Sequence, residues 1–151
     1  MNASGTNAFN SLVRAPVADL DSREFWANCG QHRLVVRVCS ACGRGHHPPG
    51  PICPWCTSRE ITTQVSAGRG TVSSYVEFCH PFVPDLIDEL PYTVVKVAID
   101  EWPDAVVYGR YLGTGPVRTG DRLQVAWESL PDGTVLPNWA AESDGGKPAD
   151  G

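Results

Sequence analysis

The chain has 151 residues, 17 acidic against 12 basic side chains, a net charge of −5 and 42% hydrophobic residues. That length holds one small domain with an appended module and excludes two large cores. The acidic balance opposes nonspecific attachment to a phosphate backbone, and without an apolar run of about 18 residues no membrane-spanning helix is expected.

Residues 1–18 show no clear hydrophobic period and are expected to be a flexible N-terminus. They also lack the charged, apolar and small-residue succession of a secretory signal. A cytoplasmic location follows as the expectation, with thiols kept reduced, so the six cysteines do not read as a disulfide framework. Asp21-Ser-Arg-Glu24 has the form of a capping box, and Phe25 and Cys29 lie one turn apart on a face shared with Trp26. A short helix ending at Gly30 is predicted. Residues 33–38 form a β-branched run, and residues 59–65 alternate, as two short strands would.

Between those strands stand Cys39-Ser-Ala-Cys42 and Cys53-Pro-Trp-Cys56, two CxxC pairs separated by ten residues. Each pair supplies two thiolates from one tight turn, so two turns brought together place four sulfurs about 2.3 Å from a single ion. Gly43 follows the first pair, where the backbone needs positive φ; Thr57 stands at the equivalent place after the second, and Pro54 stiffens that knuckle. Cys39, Cys42, Cys53 and Cys56 fill every place of a tetrahedron. The reading is therefore a structural Zn²⁺ with no position open for a reactive water. Iron in the same cage is the rival. His46 and His47, between the pairs, read as solvated loop histidines because the shell is already complete.

After Gly68-Arg-Gly70 the texture changes to strands divided by turns: residues 71–78, 92–100, 105–112, 122–128 and a short segment around Val135. Five strands within about 70 residues fit an OB-like barrel, which closes its own edges, with a split sandwich as the alternative. Gly109 suggests the bend or bulge such a barrel needs. The division expected is 1–18 flexible, 19–66 helix and ribbon, 67–140 barrel, and 141–151 a disordered tail rich in Gly, Asp and Pro.

The connection over residues 79–91 carries Phe82, Val83, Leu86, Ile87 and Leu90. A loop that apolar folds back on the barrel or meets a partner, so Phe82, Leu86 and Ile87, with Trp139 near the end of the barrel, are interface candidates. No serine–histidine–acid order, Walker loop, HExxH or dinucleotide fingerprint is present. Cys29 reads as a small buried hydrophobe. Cys79 beside His80 is the one pair that would make the chain an enzyme in its own right. A barrel beside a ribbon also suggests single-stranded nucleic acid, but Tyr75, Phe78, Tyr92, Tyr108 and Tyr111 have no flanking Lys or Arg cluster, and no nucleic-acid partner is expected.

Phe25-Trp26, Leu34 leading to Cys39-Ser-Ala-Cys42-Gly, His47-Pro-Pro, Cys53-Pro-Trp-Cys56, Ser66-Ala-Gly-Arg-Gly-Thr-Val-Ser-Ser-Tyr75, Pro91-Tyr92 and Gly120-Asp-Arg-Leu123 together resemble the acyl-CoA-associated family catalogued as domain of unknown function 35. The likeness runs over residues 24–139. It implies a mainly β fold, with an N-terminal helix and rubredoxin-like zinc ribbon followed by a five-stranded OB-fold barrel. It further implies a non-catalytic auxiliary subunit in a hetero-oligomer with a thiolase-superfamily partner, whose substrate is an acyl-CoA cleaved by thiolysis or retro-aldol chemistry or used in acyl transfer. Among Arg69, Arg110, Arg118 and Arg122, Arg69 in its open glycine turn is the candidate contact for the CoA phosphates.

Overall fold

The computed structural model describes residues 14–143, so most of the expected N-terminal and C-terminal flexible segments lies outside the described residues. Helix α1 (Arg23–Cys29) buries Phe25 and Cys29. The expected capping box is displaced by two residues toward the N-terminus. Ser22 is the N-cap, and it exchanges bonds with Asp19: the Ser22 N–H donates to Asp19 Oδ1 at 2.7 Å, and the Asp19 N–H donates to Ser22 Oγ at 3.1 Å. Glu24, expected to close the box, instead accepts from Thr63 Oγ1 at 2.9 Å and from Arg37 at 3.3 Å, which ties the helix to the sheet beside it.

That sheet contains β1 (Val35–Cys39), β2 (Gly45–His46) and β3 (Ile61–Val65) in the order β2-β1-β3, all antiparallel, with Val35 opposite Val65 and Cys39 opposite Ile61. The β-branched run and the alternating run therefore pair with each other across the two cysteine turns. Gly45 allows the close approach of Trp102, since a Cβ there would lie 2.5 Å from Trp102 Cβ.

The second sheet contains β4 (Arg69–Phe78), β5 (Tyr92–Ile99), β6 (Val106–Arg110), β7 (Arg122–Ser129) and β8 (Val135–Ala141) in the order β6-β5-β4-β7-β8. Its two ends meet: Tyr111 bridges Trp139 in parallel, and the Leu112 N–H donates to the Trp139 carbonyl at 2.8 Å. This closure, with four antiparallel pairings around the sheet and a parallel contact at the seam, gives the OB-like barrel expected from the sequence. The last strand is a full seven residues rather than a short segment. Gly109 is neither bend nor bulge. It lies in register opposite Val95, and what needs it bare is the seam: an added Cβ would come within 2.7 Å of the Pro137 carbonyl oxygen and 2.8 Å of Trp139 Cδ1. The bulge occurs in β4, between Val72 and Ser74.

One apolar cluster runs through both sheets, from Phe25, Cys29 and residues 34–36 to Val72, Val95, Val97, Ile99, Val107, Leu123 and Trp139. The crossing from β3 to β4 is braced by Glu101, whose carboxylate accepts from Ser66 Oγ at 2.9 Å and from the Ala67 N–H at 2.7 Å. Above it, His32 stacks on Trp127 at 5.6 Å and 8°. The ribbon is thus seated on the barrel by buried carbon and by a carboxylate clamp.

Candidate metal centre and partner surface

Both knuckles form because the residue after each second cysteine turns left-handed. Gly43 has φ +77°, and its N–H donates to the Cys39 carbonyl at 2.8 Å; Thr57 has φ +65°, and its N–H donates to the Cys53 carbonyl at 3.0 Å. Thr57 is the strained member, and its hydroxyl donates to the Cys56 carbonyl at 2.6 Å. The four sulfurs converge within 4.8 Å of one another, with Cys39 to Cys56 at 3.6 Å and Cys42 to Cys53 at 3.7 Å. Four ligands about 2.3 Å from a central zinc have edges of about 3.8 Å, so the donor set fits one tetrahedral ion. Cys39 and Cys53 face the protein, while Cys42 and Cys56 face outward. The Cys42 N–H points at the Cys39 sulfur and, as the largest influence, pulls that thiol down to about 7. At Cys56 the backbone bond at Ser58 is outweighed by burial and the three neighbouring sulfurs, which push that thiol up, so what marks the metal site is the convergence of the four sulfurs.

The two histidines between the knuckles are not solvated loop residues. His46 is buried, with Nε2 facing the Gly50 carbonyl at 3.4 Å, and His47 packs on Phe25 with ring centroids 4.6 Å apart. Burial pushes His47 down to about 4, and it lowers His46 in the same sense. Both are therefore neutral packing residues, and among the described residues the metal cluster consists of the four cysteines. His47 also lines a cleft of ≈ 270 Å³ with Phe25, Trp26, Val107, Tyr108 and Pro137. Sequence reasoning missed this cleft because its walls come from the helix, the knuckle loop and two barrel strands.

The interface candidates separate. Phe82 is 76% and Ile87 62% exposed on a short 3-10 helix, Pro84–Glu89, and the turn leading into it, whereas Leu86 faces inward. Trp139 is 0% exposed and fills the barrel seam against Gly109, so as a surface contact it is corrected: the core claims it. Arg69 is half exposed and lies 3.3 Å from Glu142, which also holds Arg122; Arg122 in turn is forked onto Asp100. Arg110 is bound to Glu128 at 2.9 Å, and Arg118 sits in a turn whose N–H is held by Asp121. Cys79 is exposed, and its nearest polar partner is Glu77, which raises its pKa, opposite to what a nucleophilic thiol needs.

Comparisons with known proteins agree with this geometry. The family model described as "ChsH2, rubredoxin-like zinc ribbon domain" matches residues 26–62. A solved structure, the Ltp2-ChsH2(DUF35) aldolase, contains a chain 31% identical to this one, with TM-score 0.72, covering 84% of this chain and 98% of that one. A DUF35 protein of unknown function from Sulfolobus solfataricus shares the fold at TM-score 0.59 and 16% identity, over 79% of this chain and 83% of that one. Among curated proteins, a probable enoyl-CoA hydratase alpha subunit of Thermomonospora curvata is 40% identical over 84% of this chain, and the 3-oxo-4,17-pregnadiene-20-carboxyl-CoA hydratase alpha subunit of Mycobacterium tuberculosis is 30% identical over 78%. The chain spans only 39% and 37% of the length of those two relatives. What the likeness covers is the ribbon and barrel together, and on that basis the chain belongs to the DUF35 family of ChsH2-like proteins.

Proposed function

We propose that this chain is a non-catalytic auxiliary subunit that binds, and completes or stabilises, a thiolase-superfamily partner acting on acyl-CoA by thiolysis, retro-aldol cleavage or acyl transfer. The observation that carries the reading is the match over 98% of the DUF35 chain of an aldolase whose description pairs it with Ltp2. The polar surface adds support. Arg110 and Arg122 are bound to carboxylates, and Glu77 beside the exposed Cys79 raises that thiol rather than activating it, so the stand-alone alternative built on Cys79 and His80 loses its nucleophile. The same ion pairs leave the nucleic-acid alternative without a basic groove.

In this reading Cys39, Cys42, Cys53 and Cys56 hold zinc as a structural ion, and bound zinc supplies cross-linking of two turns rather than Lewis-acid chemistry. The chain works in the cytoplasm, where its thiols stay reduced. Arg69 belongs to the proposal as a contact for CoA phosphates, for which a phosphate would have to displace Glu142. Phe82 and Ile87 are its partner contacts. The test is co-purification of the tagged chain from its native extract. Recovery of a thiolase-like protein in stoichiometric amount is the result expected, and recovery of the bait alone would overturn the reading.

A further inference from the structure

Strand β4 begins inside the barrel and ends outside it. Its pairing with β7 covers only Arg69, Gly70 and Thr71, and Val72 then bonds to Gly120 and Asp121 at 2.9 Å each. The bulge follows, and from Ser74 to Phe78 the strand is paired with β5 alone. Residues 73–77 are exposed along their whole length, and among the described residues no backbone hydrogen bond reaches their outer edge. In an antiparallel strand alternate residues turn their N–H and C=O groups away from the single neighbour, so this edge offers a row of unused rungs.

The side chains around the edge have one consistent character. Tyr75 and Val76 point to opposite faces, each about half exposed, so an added strand would meet apolar surface on both sides. The tip is stiffened by Phe78, which stacks on Tyr92 at 4.8 Å and meets Phe82 edge-on at 5.7 Å. From Gly70 to Val95 the chain has four carboxylates, Glu77, Asp85, Asp88 and Glu89, and no lysine or arginine, so most of the net charge of −5 sits on this projection. A second copy would bring the same four carboxylates to the same surface, which charge opposes.

We infer that the free edge of β4, residues 73–78, is where the partner subunit docks, by adding an extended strand of its own that is apolar along its length and flanked by Lys or Arg. This rests on the auxiliary-subunit reading and states how that partner is held: main-chain rungs set the register, Tyr75 and Val76 grip the two faces, and the acidic tip selects basic flanks. Phe82 and Ile87 then contact the partner beyond the strand.

The experiment uses the complex isolated by the co-purification above. Amide hydrogen exchange of residues 73–78, fast in the free chain, is expected to slow by at least about tenfold in the complex. Val76→Lys, at an exposed position, and the double variant Asp85→Lys with Asp88→Lys are each expected to weaken partner binding by about tenfold while zinc content stays at the parental value. A complex in which residues 73–78 exchange as fast as in the free chain, or which forms equally well with Val76→Lys, overturns the inference and leaves the auxiliary reading standing. A homodimer with these amides protected overturns it in favour of self-pairing. Failure to recover any thiolase-like subunit overturns the reading on which it rests.

Discussion

Adding one methyl group at Gly109 is expected to open the barrel at its seam. A Cβ there would lie 2.7 Å from the Pro137 carbonyl oxygen, 2.8 Å from Trp139 Cδ1 and 3.1 Å from Asn138 Cα. Two of these three atoms are backbone of β8, and the third belongs to a fully buried indole, so no flexible side-chain end can yield. Relief requires β8 to move from β6 by several tenths of an ångström. The bonds that hold the seam, Leu112 N–H to the Trp139 carbonyl and Arg110 N–H to Asn138 Oδ1, both 2.8 Å, must stretch with it. Overpacking costs about 1–3 kcal/mol, and the loss of one such hydrogen bond about 1 kcal/mol more. For a domain of this size that total lowers Tm by about 10 °C. Calorimetry of zinc-loaded Gly109→Ala would be run beside Gly50→Ala, where an added Cβ meets nothing within 4 Å. A Gly109→Ala protein melting within about 2 °C of the parent would refute the close-approach argument.

Three further predictions follow from the same structure. Cys39→Ser removes one of four sulfurs from a ribbon whose residues 34–36 belong to the common core, so zinc, near-UV circular dichroism and partner binding are expected to be lost together; a folded variant that still binds the partner would contradict this. His47 is held neutral by burial at about 4 and regains its ordinary value near 6.5 when unfolded, so the unfolded chain binds the extra proton. Its stabilisation is present above about pH 6.5 and lost as pH falls toward 4, up to about 3 kcal/mol, and His47→Gln should flatten urea stability across that window; an unchanged slope would dismiss His47 as the cause. Arg69→Ala is expected to weaken CoA binding by the assembled complex about fivefold with no change in Tm, and unchanged affinity by titration calorimetry would remove Arg69 from the CoA contact.

The metal ribbon and the succession of five barrel strands could be read from sequence because both are local signals. Two CxxC turns specify their own geometry, and the runs from Val35 and Ile61 differ in period from the loops that bound them. Long-range closeness left no such trace. Gly109 looked like a bend because nothing in one strand announces the strand that will press upon it, and Trp139 looked like a surface contact for the same reason. The Asp21–Glu24 box does not form because Ser22 bonds back to Asp19, while Glu24, the acid that would close the box, is drawn to Arg37 and Thr63. The histidines were misread because a polar loop sequence does not reveal that Phe25 covers it. The open edge of β4 is set by where its pairing with β7 stops, at Thr71, and no residue of the strand itself marks that point.

The central claim is that this chain supports a catalyst without being one. Its most direct test is acyl-CoA turnover measured with the zinc-loaded chain alone, the co-purifying thiolase-like subunit alone, and the two titrated together. No turnover by the chain alone, and a rise in the partner's activity or lifetime that saturates at equimolar addition, is the result expected. Turnover by the isolated chain, or a partner indifferent to its addition, would contradict the account.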